Sequence, residues 1–285
     1  MKIVSGIEEL QQEIENIKSA GKSIGFVPTM GALHAGHIEL VKKSVQNNDY
    51  NVVSIFVNPT QFNNAVDLEK YPRDLNRDAE MLHQVGCDLV FAPEAAAIYT
   101  EKELNSRFDF DFKGLDKVME GKFRPGHFNG VVQIVSKLFY LVKPDRAYFG
   151  EKDFQQLAII HHMVKTLNFN VEIIDCPIVR EHSGLAMSSR NERLSEEQRK
   201  IAAEISKVLF ESRNFAPQLS PSDLTVWVVD KINEVKGLEV EYYEIVNSVT
   251  LQTAQSWAES TVGCIAVFCA DVRLIDNVRY ELYRN

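Results

Sequence analysis

Five short apolar runs, near residues 24–27, 52–57, 88–92, 146–149 and 171–175, alternate with helical patterns near 36–47, 74–85, 128–142 and 153–167. Few chain paths accommodate that pattern. A short apolar run without polar alternation needs cover on both faces, and helices between successive runs supply it. The pattern predicts an α/β fold, a Rossmann-like doubly wound parallel sheet with helices on both sides. In such sheets ligands bind beyond the carboxyl ends of the strands, where crossovers diverge to opposite faces. Polar clusters at 28–37, 58–61 and 150–156 directly follow three of the runs, where a ligand is expected.

The flanks read differently. Ser5 and Glu8 have capping-box spacing before Ile7, Leu10, Ile14 and Ile17, and Gly21 stands as a stop, so a helix opens the chain. Past about residue 180 the alternation ends. Ser195 and Gln198 form a second capping box for a helix to about 211, Pro217 and Pro221 punctuate a loop, and a helix follows near 222–235. Val240–Val246, Cys264–Val272 and a short terminal segment then read as strands. The expected division is a ligand-binding domain over 1–177 and a smaller α+β lid domain over 178–285.

The segment Gly25-Phe-Val-Pro-Thr-Met-Gly-Ala-Leu-His-Ala-Gly-His37 runs from a strand through a glycine turn to a helix start. Unpaired N–H groups and a partial positive charge make such a start an anion site. If both are helical, His34 and His37 share one face, and both can donate toward a phosphate. A fragment of a metal site and ordinary surface histidines are the competing readings. Neither G-x-G-x-x-G nor G-x-x-x-x-G-K-[ST] occurs in the chain.

Other clusters carry weaker signals on their own. Asn58 and Gln61 are strand-end amides suited to a small polar substrate, or to a turn. Residues 119–130 combine three glycines with Lys122, Arg124 and His127, as a loop over an anion or a solvated connector would. Lys152 opens a helix after a strand and a glycine; Asp153 reads as that helix's cap, and only one of Gln155 and Gln156 can face the same ligand as Lys152. Met187-Ser-Ser-Arg190 offers two hydroxyls and a guanidinium to a triphosphate. His161-His162 reads as one packed and one exposed residue, and Tyr242-Tyr243 as strand core.

A net charge of −9 argues against nucleic acid as the main partner. Four cysteines, at 87, 176, 264 and 269, match no ligand or redox spacing and suit a reducing compartment. With no signal-like or membrane-length apolar run, the expected location is the cytoplasm, with no membrane partner.

The H-x-G-H motif and the later Met-Ser-Ser-Arg loop are similar to the two signatures of the nucleotidyltransferase superfamily. Within it the chain resembles the pantoate–β-alanine ligase family. The likeness rests on Val27-Pro-Thr-Met-Gly-Ala-Leu-His-Ala-Gly-His37, Phe56-Val-Asn-Pro-Thr-Gln-Phe62 and Tyr71-Pro-Arg73. It continues in Arg124-Pro-Gly-His-Phe128, Phe149-Gly-Glu-Lys-Asp-Phe-Gln-Gln156 and Met187-Ser-Ser-Arg-Asn191. These stand in family order over the N-terminal two-thirds; the C-terminal unit matches more loosely. Thr60 departs from the bulky apolar residue more usual in the family.

The resemblance implies that ATP, with Mg²⁺ on its phosphates, activates pantoate as pantoyl adenylate, and that β-alanine then displaces AMP to give pantothenate. It assigns ATP binding to Met30, Gly31, Ala32, Leu33, His34, Ala35, Gly36 and His37, with Gly150, Glu151, Lys152, Asp153, Val179, Met187, Ser188, Ser189 and Arg190. His37 becomes the catalytic proton donor toward the phosphates, and Gln61 and Gln156 the holders of pantoate. It further implies a homodimer through N-terminal strands and closure of the Met187–Arg190 loop over ATP. Two other readings remain. A related adenylyltransferase with a phosphate-bearing acceptor would need cations where Gln61 and Gln156 stand. A non-catalytic ATP-binding regulator would not need His34, His37, Lys152 and Arg190 together.

Overall fold

The structure, a computed structural model, describes residues 1–63, 68–104, 106–257 and 260–280. Its first sheet has six strands, β1 (Lys2–Val4), β2 (Ile24–Thr29), β3 (Tyr50–Ile55), β4 (Leu89–Phe91), β5 (Arg146–Gly150) and β6 (Glu172–Cys176). The order is β1-β4-β3-β2-β5-β6, and every pairing is parallel. The main helices are α1 (Ile7–Ser19), α2 (Ala35–Asn47), α3 (Leu75–Gln84), α4 (His127–Val142) and α5 (Phe154–Thr166). The doubly wound α/β expectation therefore holds. From β2 the chain winds outward through α2 to β3, and from β5 through α5 to β6 on the other side. The crossovers diverge between β2 and β5, which makes that the topological switch point.

Two layers cover the sheet. Phe26, Val52, Leu89 and Phe91 face α1 and α4, while Val27, Val53 and Val90 face α2 and α3. α4 buries His127 through Ser136 without a break, so its first ten residues lie inside the molecule, and Tyr140 near its end reaches the surface.

The start of the chain differs from expectation. α1 is N-capped by Gly6 without a side-chain bond, because Ser5 stands one residue too early, on the extended path out of β1. β1 itself is a three-residue strand whose exposed Lys2 and Ile3 give no buried-run signal.

Beyond β6, α6 (Glu196–Ser212) and α7 (Pro221–Asn233) cover an antiparallel sheet of β7 (Leu238–Asn247), β8 (Thr261–Cys269) and β9 (Val272–Tyr280), in the order β7-β8-β9. The Ser195–Gln198 capping box is present. The apolar run 264–272 is two strands, turning at Ala270 with φ 52°. β8 is apolar throughout because Val262, Cys264 and Ala266 enter the main core, while Ile265, Val267 and Cys269 pack under α6 and α7. Cys264, Cys269 and the Tyr242-Tyr243 pair are buried strand residues as expected. Among the described residues no helix is long and apolar enough to cross a membrane.

Candidate active site

β2 ends at Thr29, and the chain must turn sharply to enter α2. Gly31 (φ 78°) and Ala32 (φ 50°) make that turn in the left-handed region, which glycine adopts freely and alanine does not. Asp78 of α3 stabilises it: its two carboxylate oxygens accept the N–H groups of Ala32 at 2.9 Å and Leu33 at 2.8 Å. Thr29 Oγ1 accepts the Gly31 N–H at 3.2 Å. These three N–H groups are turned inward, so Gly31, Ala32 and Leu33 shape the site from beneath and form no part of its wall.

His34 is the N-cap of α2, not a helical residue. Its Nδ1 accepts the Gly36 N–H at 3.1 Å, and its own N–H donates to His37 Nδ1 at 3.4 Å. The pair is thus a capping box made of imidazoles. A Cβ on residue 36 would stand 2.8 Å from the His34 ring, which is why glycine occupies that position. With each Nδ1 accepting, each neutral ring carries its proton on Nε2. Burial and neighbouring Lys152 hold His34 at about 4; burial, His34 and Lys152 hold His37 at about 3. Both are neutral Nε2–H donors at pH 7, with ring centroids 4.1 Å apart.

One cleft gathers most of the anticipated residues. Met30, His34, Gly36 and His37 form one wall, Gly150, Lys152, Asp153 and Gln156 another, and Val179 with Met187, Ser188, Ser189 and Arg190 the third. It lies at the carboxyl ends of β2 and β5, the switch point. The Lys152 ammonium has only Asp153 Oδ2, at 3.9 Å, as an ionic partner among the described residues. Asp153 occupies the N-cap position of α5 without bonding the helix, so its carboxylate meets the cleft with only the loose Lys152 contact. Ser188 Oγ accepts the Arg190 N–H at 3.2 Å and starts a 3₁₀ turn that turns Arg190 to the mouth.

Other expected residues stand elsewhere. Ala35 and Glu151 do not line the cleft; Glu151 instead pairs with Arg279 at 3.1 Å. Gln155 points away, donating to the carbonyls of Leu115 and Val118, so Gln156 alone faces Lys152's ligand. Gln61 is buried behind Met30, its Oε1 accepting from Asn58 Nδ2 at 3.1 Å and its Nε2 directed at Met30 Sδ at 3.1 Å. Asn58 serves the turn: it also donates to Gly130 O and accepts from Tyr99 Oη. His161 is exposed and paired with Asp175, and His162 bonds Asp111 O, so neither joins the site.

Several contributors carry no local motif. Tyr71, Tyr148 and Ile178 complete the cleft wall, and of these only Tyr71 stands in a quoted motif. Asn277 of β9 donates to the carbonyls of Glu151 at 2.8 Å and Lys152 at 3.1 Å, fastening the lysine's turn. Arg180 makes a two-pronged bond to buried Asp276, at 2.6 and 2.8 Å, anchoring the hairpin that leads to Met187. The C-terminal sheet thus holds two of the three walls. Among the described residues no three His, Cys, Asp or Glu side chains gather as a metal cluster.

Imidazole donors and loosely paired cations collected at a switch point suit a polyphosphate, and with this fold they define a Rossmann-like enzyme that uses a nucleotide. Comparison with known proteins gives the branch. The family described as Pantoate-beta-alanine ligase matches residues 2–279, and the chain belongs to that family. Pantothenate synthetase of Bacteroides fragilis is 56% identical over 283 residues, covering 99% of each chain. The crystal structure of pantothenate synthetase from Thermus thermophilus superposes with a TM-score of 0.91 at 40% identity, covering 98% of this chain and 99% of that one. Pantoate-beta-alanine ligase from Francisella tularensis, solved with β-γ ATP and β-alanine, gives 0.82 at 37% identity over 98% of each. The chain is accordingly a ligase that condenses pantoate with β-alanine to pantothenate, which displaces both alternative readings.

Proposed function

We propose that ligation proceeds at the switch-point cleft in two steps. A pantoate carboxylate oxygen attacks the α-phosphorus of ATP, the bond to the β-phosphate oxygen breaks, and pyrophosphate leaves. The neutral amine of β-alanine then adds to the acyl carbon; the carbon–oxygen bond to AMP breaks, and the nitrogen's extra proton passes to solvent. The observation that carries this reading is the convergence of His34, His37, Lys152 and Arg190 on one cleft beside Gln156. Attack on a polyanion needs neutralisation and alignment more than proton abstraction. Neutral His34 and His37 donate hydrogen bonds from Nε2, and His37 is the catalytic donor that stabilises the charge building on the leaving pyrophosphate while keeping its own proton. Lys152 and Arg190 supply fixed positive charge. Gly150, Asp153, Val179 and Met187–Ser189 bound the nucleotide, while Gly31, Ala32, Leu33, Ala35 and Glu151 act by shaping the walls.

Gln61 and Gln156 choose the acid. A thioether is a weak acceptor, so the Gln61 Nε2–H now directed at Met30 has more to gain from a pantoate oxygen. Mg²⁺ travels with the ATP phosphates and supplies further charge neutralisation. The Asp153 carboxylate, only loosely paired with Lys152, is the cleft side chain that would fit a hard cation carried in by the phosphates. The proposal extends to a working division into 1–177 and 178–285, closure of the Met187–Arg190 turn over ATP, a homodimer through the first sheet and a cytoplasmic location.

The deciding assay is AMP release from ATP, expected only when pantoate and β-alanine are both present. Release without pantoate overturns the scheme. Gln61→Ala is expected to raise the KM for pantoate about tenfold or more while leaving that for ATP within about twofold, as loss of hydrogen bonds to one substrate would. A change confined to ATP reverses the assignment.

A further inference from the structure

The Arg77 and Asp78 side chains leave the first turn of α3 in different directions. Asp78 turns inward and holds the Ala32 and Leu33 N–H groups, which fixes the chain that carries His34. Arg77 reaches outward to the 3₁₀ turn after Ser188, where its Nη2 meets Glu192 Oε1 at 3.2 Å. One turn of helix thus touches the chain behind two walls of the cleft.

The third wall is otherwise secured from its own side. Asn191 donates to Glu181 Oε1 at 2.8 Å and to Ala186 O at 3.0 Å, and Arg199 donates to Asn191 O at 2.8 Å. Arg193 pairs with Asp271 at 2.9 Å. All of those partners lie beyond residue 180. Among the described residues Arg77–Glu192 is the one ion pair that ties residues 187–193 to the first sheet and its helices. Beside it the Tyr71 hydroxyl faces the Ser189 side chain, and the Tyr71 ring lines the cleft and meets Phe62 edge-on at 5.8 Å.

The strength of the pair is telling. The two side chains are 52% and 53% exposed, and a bond so exposed favours one position of the turn about fivefold at most. That scale suits a contact that must part whenever nucleotide enters or leaves. Glu192 also stands near enough to His34 to act on the charge of its ring. Without Arg77 its carboxylate would add uncompensated negative charge beside the polyphosphate.

Resting on the ligase reading, we infer that Arg77 and Glu192 are positioning residues for ATP: their bond sets the Met187–Arg190 turn against the nucleotide, while α3 keeps that turn in register with His34. Neither side chain touches substrate. The pair acts on the population of the closed turn, so it governs how much ATP adenylation needs. Once ATP saturates the site, its own binding closes the turn and the rate no longer depends on the pair.

Pantoate-dependent exchange of labelled pyrophosphate into ATP, run at low ionic strength where screening is weakest, is the assay. Its absence in the wild-type enzyme would overturn the ligase reading itself, whatever the variants do. With exchange present, Arg77→Met is expected to raise the KM for ATP about three- to fivefold, with kcat and the KM for pantoate within about twofold. Glu192→Gln separates a contact from a mere charge. If the bond positions the turn, this variant also raises the KM for ATP, about two- to threefold, and the double variant is no worse than Arg77→Met alone. If the carboxylate only repels phosphate, its removal lowers the KM, and the two substitutions add. An unchanged KM for ATP in Arg77→Met overturns the inference, as does a lowered or unchanged one in Glu192→Gln. Additive effects, or an equal rise in the KM for pantoate, overturn it too, the last because it would mark a general loosening.

Discussion

Replacing His34 by asparagine separates two jobs that one imidazole performs. Its Nδ1 caps α2 through the Gly36 N–H, and its Nε2–H faces the cleft. Asparagine is among the strongest N-caps, so His34→Asn keeps the first job, while His34→Ala loses both. The cap is worth about 1 kcal/mol, so Ala is expected to lower unfolding stability in urea by about that amount and Asn by a few tenths. The donor acts on charge developing at phosphate in a partly buried cleft, where removing one such group costs about 10²–10³ in rate, or roughly 3–4 kcal/mol of barrier. Both variants should therefore lose about the same factor in pantoate-dependent pyrophosphate exchange while differing in stability. The crossed pattern is the signature. If His34→Asn exchanges pyrophosphate at a rate within about threefold of wild type, the imidazole is a helix cap and nothing more.

That double role explains how much of the site could be read in advance. His34, Gly36, His37, Lys152 and Met187–Arg190 lie in short segments whose chemistry is local, and the strand-turn-helix order predicts where each segment ends. Strands β2 to β5 were legible for a related reason: a strand buried on both faces reads as a short apolar run, whereas edge strand β6, with Glu172 and Asp175 exposed, is marked only by Ile173 and Ile174. The same logic misled at 264–272, where β8 and β9 fuse into one run because β8 serves two cores and no glycine marks the turn. The groups that hold the site in shape were not legible. Asp78 acts on residues 45 and 46 positions away, Asn277 on residues 126 and 125 away, and Arg180 on Asp276 at 96. No local pattern distinguishes such a side chain from a solvated one; only the sheet topology brings the pair together. The inward-turned N–H groups of Gly31, Ala32 and Leu33 make the same point. A glycine turn before a helix suggests backbone donors for phosphate, yet Asp78 and Thr29 take them, and imidazole Nε2–H groups face the cleft instead.

Three further expectations follow from the geometry. Gly36→Ala sets a methyl 2.8 Å from the His34 ring, so pyrophosphate exchange should fall about 10²-fold while urea stability changes by less than about 1 kcal/mol. Equal rates would mean that the ring tolerates displacement. Asn277→Leu leaves the carbonyls of Glu151 and Lys152 without their donor, and should cost about 1–3 kcal/mol in urea unfolding together with a raised KM for ATP. A stability loss with unchanged ATP kinetics would limit Asn277 to a structural role. The third concerns acid. His127 is buried, and burial together with Arg124 holds it at about 4, against an ordinary value near 6.5. Below pH 6.5 the unfolded chain therefore takes up a proton that the folded one refuses, and stability is lost as the pH falls toward 4. At pH 5.5 the linkage amounts to about 1.4 kcal/mol for this one group. His127→Asn retains a donor to Gln61 O but has nothing to titrate, so its stability loss between about pH 7.5 and 5.5 should be smaller than the wild type's by about 1.4 kcal/mol. Urea midpoints for both proteins at the two pH values isolate the difference from every carboxylate they share, and identical losses would show that His127 takes up its proton as readily in the folded state as in the unfolded chain.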